Sequence, residues 1–209
     1  QSALDTTAAG DIWDNGFKTG DAETAYVAMA GSDASGSSIN YTLPTLMDDL
    51  SVSASYSPGG AAVQSTTAFA FTYTGVEGLS ASYGIGENGS TTATASGDLT
   101  TMKASYAIGS FTAAYSNTES DLDSTGIDEE MSSFKLSYTV TDNLSISYGE
   151  ETHETQSQTV DEEFESISVS YTTGGMTLSA AQHDAKGIAN TTGVLGEASR
   201  WKLGASFAF

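Results

Sequence analysis

The chain has 209 residues, with 27 Asp and Glu against 6 Lys and Arg, for a formal net charge of −21. That length suits one domain or a large piece of one, and the acidic balance argues against nucleic acid as a partner. There is no cysteine, which excludes thiol chemistry, Cys-ligated metals and a disulfide-stapled secreted fold. Low hydrophobicity with high net charge is the composition of disorder, but here the apolar residues are strongly patterned. No apolar run approaches the ~20 residues of a membrane helix. No basic stretch followed by an apolar one opens the chain, so any signal peptide is expected to be gone already.

Residues 1–37 are rich in Asp, Gly, Ala and Thr. Within them, Glu23–Ala30 is a candidate strand, with Ala25, Val27 and Met29 on one face. From there on the pattern has period two, and it predicts eleven strands: 38–43, 50–57, 66–74, 78–86, 99–108, 110–117, 131–141, 144–151, 164–172, 175–183 and 198–209. Leu50-Ser-Val52-Ser-Ala54-Ser-Tyr56 shows the form, as do Leu144-Ser-Ile146-Ser-Tyr148 and Ile167-Ser-Val169-Ser-Tyr171. Successive side chains of a strand point to opposite faces, so each strand has one apolar face and one hydroxyl face. The two prolines, Pro44 and Pro58, fall between strands, where a missing N–H does no harm. Connections alternate between short and long. The short ones are 44–49, 75–77, 109, 141–143 and 173–174, and the long ones cover about 58–65, 87–98, 118–130, 152–163 and 184–197. The expected fold is all-β, an up-and-down antiparallel meander of the kind that closes into a transmembrane barrel.

Eight of the ten tyrosines, Tyr56, Tyr73, Tyr83, Tyr106, Tyr115, Tyr138, Tyr148 and Tyr171, fall on the apolar face near predicted strand ends. An apolar ring with a polar tip suits the border between hydrocarbon and water, and membrane barrels carry such girdles. Cross-strand packing in a soluble sandwich is the other reading, but a sandwich usually mixes charges into its outer face. The last strand alternates Trp201, Leu203, Ala205, Phe207 and Phe209 with small or polar residues. Lys103, Lys135 and Lys202 fall on Ser/Thr faces and are expected to point into a wet interior.

Two segments carry a family resemblance. Ile39-Asn-Tyr41-Thr-Leu-Pro44-Thr-Leu-Met-Asp-Asp49-Leu50-Ser-Val52-Ser-Ala54-Ser-Tyr56 resembles the strand–turn–strand after the constriction loop of Gram-negative general diffusion porins, the alphaproteobacterial type above all. Asp49-Leu50 stands where that family has Gly-Leu or a similar pair. The final strand, with Trp201, Leu203, Phe207 and Phe209, resembles the signal read by the barrel-insertion machinery. The resemblance implies a 16-stranded, multi-pass outer-membrane barrel in contact with lipid and lipopolysaccharide, usually a homotrimer. Residues 38–209 would be its strands six to sixteen, and residues 1–37 the constriction loop and its flanks. Independently of the resemblance, a closed barrel with both termini in the periplasm needs an even strand count. Eleven is odd, so an odd number of strands is expected to be absent, five on the 16-stranded count that the resemblance implies; if Glu23–Ala30 is a strand, a closed twelve-stranded barrel becomes possible instead.

Such a channel makes no bonds; it works by width and fixed charge. If residues 1–37 fold inward, Asp5, Asp11, Asp14, Asp21 and Glu23 are the acidic candidates at the constriction, facing a basic cluster that the resemblance implies on the opposite wall. The net charge points to cation preference. Acids crowd two predicted outer loops: Glu119, Asp121, Asp123, Asp128, Glu129 and Glu130, then Glu150, Glu151, Glu154, Asp161, Glu162 and Glu163. Calcium or magnesium is a candidate there, with Asp121, Asp123 and Asp128 as ligands. The EF-hand itself is excluded, because its twelfth position is Ser132 and no helices flank it. His153 and His183 have no companion catalytic motif, so an enzyme is not expected. Two other functions fit the composition: a solute-specific channel, and a secreted acidic calcium-binding adhesin or surface-layer protein.

Overall fold

Strict alternation of Ser with Leu, Ile, Val, Ala or Tyr leaves each strand with one face that avoids water and one that seeks it. The chain resolves this with a single sheet. The computed structural model describes residues 39–44, 47–60, 64–88, 96–124 and 128–208. It contains eleven strands: β1 (Ile39–Thr42), β2 (Leu50–Ser57), β3 (Thr66–Tyr73), β4 (Leu79–Asn88), β5 (Gly97–Ile108), β6 (Phe111–Leu122), β7 (Glu129–Thr141), β8 (Leu144–Thr155), β9 (Glu162–Thr173), β10 (Met176–Lys186) and β11 (Ala198–Phe207). Each pairs antiparallel with its neighbours in sequence, in the order β1 to β11.

The turns at one end are tight. Between β9 and β10 only Gly174 and Gly175 intervene, at φ 54° and 82°. Two consecutive left-handed residues form the primed hairpin turn whose twist matches that of paired strands, and glycine adopts it without a Cβ penalty. At the other end the connections are long. The one between β10 and β11 carries two short 3₁₀ turns, Ile188–Asn190 and Gly193–Gly196.

The sheet is inverted relative to a soluble protein. The buried hydrophobics among the described residues are only Ala68, Leu99, Met131, Phe164 and Ala185. Large apolar side chains are exposed along one whole face, from Phe69 and Phe71 on β3 to Trp201, Leu203 and Phe207 on β11. The other face buries Ser116, Thr118, Ser133, Ser166, His153 and His183 instead. A sandwich-built adhesin would turn the apolar face inward against a second sheet, and no second sheet is present among the described residues.

Seven strands extend further at the outer end than the sequence pattern predicts. β4 runs to Asn88, β5 begins at Gly97, β6 runs to Leu122, β7 begins at Glu129, β8 runs to Thr155, β9 begins at Glu162 and β10 runs to Lys186. Apolar alternation is required only where a strand crosses hydrocarbon, whereas backbone pairing continues beyond it. Glu119, Asp121, Glu129, Glu130, Glu150, Glu151, Glu154, Glu162 and Glu163 therefore lie on strands rather than in loops. For the same reason Tyr83, Tyr115 and Tyr148 stand mid-strand, Tyr115 and Tyr148 at the upper limit of the apolar stripe and Tyr83 one place below Ile85.

Candidate functional site

The register fixes which residues share the polar face. Lys103 on β5 lies opposite Ser82 on β4 and Ser116 on β6. Lys135 on β7 lies opposite Ala114 and Gly149. From Gly149 the same row continues through Ser166 and His183 to Arg200. Lys202 heads the adjacent row, opposite Ala181, which in turn faces Ser168. Five Lys and Arg residues are described. Four of them, Lys103, Lys135, Arg200 and Lys202, fall on this face. The fifth, Lys186, is exposed on the other face, 4.0 Å from Glu163. The Ser/Thr pattern pointed to the three lysines. Arg200 was missed, although its two-residue offset from Lys202 carries the same signal.

Hydroxyls fill the space between these charges. Ser147 and Ser168 are joined by a 2.7 Å hydrogen bond, and Thr101 and Thr118 by one of 2.8 Å. Ser133 donates to Glu151 at 2.9 Å. A recess of about 280 Å³ opens over the serine floor, lined by Lys135, Ser166, Ser168, Ser170, His183 and Lys202 among others.

Nearer the outer end lies a buried histidine–carboxylate contact that the sequence pattern did not disclose. His153 Nδ1 sits 3.5 Å from Glu162 Oε2, and both side chains are fully buried. Strand register makes the pair, because His153 stands directly opposite Glu162 across β8 and β9. Glu162 also accepts the backbone N–H of Ala189 in the first 3₁₀ turn, and Asn190 donates to the Val160 carbonyl at 3.0 Å. Ile188 packs with Phe164, Ala185 and Ala198. The connection after β10 is thus fastened over the polar face. Gly187 permits this by its φ of 69°; a Cβ there would meet the Asp161 carbonyl.

The other sequence candidates are distributed as follows. Asp5, Asp11, Asp14, Asp21, Glu23 and Phe209 lie outside the described residues. The eight tyrosines share the apolar face. Seven of them are among the large exposed apolar side chains or at the margin of exposure, and Tyr148 donates its hydroxyl to Glu150. Phe111 stacks on Tyr138 with ring centroids 4.4 Å apart. Trp201, Leu203 and Phe207 are exposed on β11. Asp121, Asp123 and Asp128 do not converge. Asp123 accepts from Ser96, Asp128 accepts the Leu122 N–H at 2.9 Å, and no three acidic or histidine side chains among the described residues are grouped to hold a metal ion.

An apolar outer face, a hydroxyl-lined inner face carrying fixed charge, tight turns at one end and long connections at the other are the parts of a water-filled barrel wall. Solved structures with this fold include an anion-selective porin from Comamonas acidovorans, which superposes with a TM-score of 0.63 at 17% identity over 83% of this chain and 60% of its own. A porin refined at 1.8 Å resolution gives a TM-score of 0.58 at 18% identity, over 81% of this chain and 60% of its own. OmpT, an outer membrane protein of Vibrio cholerae, gives 0.59 at 18% identity, over 99% of this chain and 74% of its own. The chain therefore spans about 60% of the length of the first two. Among curated protein sequences, none matches this chain. The sequence profile of the Gram-negative porin family matches residues 1–209. The chain belongs to that family, and it is an outer-membrane β-barrel protein with the fold of a channel rather than an enzyme.

Proposed function

We propose that this chain forms the greater part of the wall of a water-filled channel through which small hydrophilic solutes and ions diffuse passively. The observation that carries this reading is the inversion of its faces. Apolar side chains stand outward from β3 to β11, while Ser and Thr with Lys103, Lys135, Arg200 and Lys202 line the opposite face. In hydrocarbon every backbone polar group must find a partner, and the unbroken ladder from β1 to β11 meets that requirement strand by strand. The likeness to porin structures supports completion by further strands into a 16-stranded barrel, assembled as a trimer, with residues 1–37 as the constriction loop.

The wall favours small cations over small anions in this reading. The net charge is −21, and acids stand at the outer ends of β4 to β10, with Glu129, Glu151 and Glu162 on the polar face and Glu87, Glu130 and Asp184 on the face of the apolar residues. Fixed charge of one sign at a low-dielectric mouth raises the local concentration of counter-ions. Swelling of liposomes that contain the purified protein tests the channel itself. Influx of neutral sugars is expected to slow with increasing size and to stop above a cut-off. Liposomes no more permeable than protein-free ones, with the protein folded and inserted, would overturn the reading.

A further inference from the structure

We propose that the recess between Lys135 and Lys202 is a binding subsite for a small organic anion that carries hydroxyl groups, of the sugar-acid or sugar-phosphate class. This deepens the channel reading and rests on it. The recess, about 280 Å³, spans β7 to β11 on the polar face. Its floor is shallow because Gly149 has no side chain and Ser147, Ser166, Ser168, Ser170 and Ser179 have short ones. Its flanks are high: Lys135 on one side, His183 and Lys202 on the other. With neighbouring strands ~4.8 Å apart, the two lysines stand roughly 19 Å apart along the wall, and both line the recess.

The chemistry of the lining selects the ligand. A serine hydroxyl both donates and accepts, so a floor of five serines matches a run of ligand hydroxyls that are themselves donors and acceptors. Lysine ammoniums only donate, and form their strongest hydrogen bonds with carboxylate or phosphate oxygens. No carboxylate lines the recess. The sign of this lining is particular to the place. A larger recess, about 480 Å³ at the outer ends of β6 to β8, is lined by Glu119, Asp121, Asp128, Glu129, Glu130 and Glu154 among others, with no Lys, Arg or His. The subsite holds a solute in transit; the preference among inorganic ions is set at the acidic mouth.

The test is single-channel recording of the full protein in a planar bilayer in 0.1 M KCl, where the Debye length is ~10 Å. Sodium gluconate, glucose 6-phosphate and neutral glucose are added in turn. Gluconate or glucose 6-phosphate is expected to interrupt the current in a saturable way, and glucose at equal concentration is not; the tighter of the two anions identifies the head group. In Lys135→Gln/Lys202→Gln the half-blocking concentration is expected to rise about tenfold or more, the loss that follows from removing charge-assisted hydrogen bonds. Ser168→Leu, which fills the floor and touches neither lysine, is expected to do the same, and Lys103→Gln, outside the recess, to leave the block unchanged. Open channels that the anions block no better than glucose overturn the subsite alone, as does equal block in the double variant. Folded protein that opens no channel overturns the channel reading along with it.

Discussion

His153 and Glu162 show what single residues contribute to this wall. A buried polar pair is expensive to leave half-made: removing one partner leaves the other unsatisfied at a cost of about 1–3 kcal/mol, while replacing both by apolar groups can be close to neutral. Glu162 also holds the N–H of Ala189, so its loss frees the connection after β10 as well. Glu162→Leu is therefore expected to lower the temperature at which the folded barrel is lost on a heated gel, and Glu162→Leu/His153→Leu to recover part of that loss. Equal loss in the single and double variants would show that the pair itself contributes nothing. The basic residues of the mid-wall make a separate prediction. Lys135→Gln/Lys202→Gln leaves the acidic mouth intact and removes two positive charges from the wall. Its reversal potential in a salt gradient is expected to move further toward cations, and a move toward anions would place the selective field elsewhere.

The strand is the scale at which faces are decided. Leu136 and Ser137 are neighbours on β7, one on the apolar face and the other on the polar face. A charged residue facing lipid near mid-bilayer costs about 2–4 kcal/mol, whereas lumen positions tolerate substitution. Leu136→Arg is thus expected to destabilise the barrel by that amount in chemical unfolding from lipid vesicles, with Ser137→Arg nearly silent; the reverse order would invert the sheet. Strand number and facing were readable in the sequence because hydrocarbon on one side and water on the other impose strict period two. Leu144-Ser-Ile146-Ser-Tyr148 needs no partner to be recognised. The outer ends were not readable, since beyond the hydrocarbon Glu119, Glu150 and Glu163 satisfy a strand as well as they satisfy a loop, and only the pairing ladder tells them apart. The His153–Glu162 pair was hidden for a related reason. The two lie nine positions apart, and they meet only once Ile146 is set opposite Val169 across the β8–β9 hairpin. Lys135 and Lys202 were placed by parity alone, but the recess between them depends on Gly149 and Ser166 filling the intervening strands.

For the whole molecule, the eleven strands form one antiparallel sheet, and the family match over residues 1–209 places it in the outer membrane. The exposed stripe of Trp201, Leu203 and Phe207 on β11 continues toward Phe209, so Phe209→Ser is expected to reduce the amount of protein that reaches the outer membrane without changing its synthesis. Unchanged outer-membrane levels would mean that the final aromatic is not read during insertion. The most direct test of the central claim, that the polar face lines an open aqueous pore, is single-channel conductance of the detergent-extracted protein in a planar bilayer under a salt gradient. The account predicts stepwise current increments of uniform size with a reversal potential on the cation side. Well-folded, inserted protein that gives no steps would contradict it.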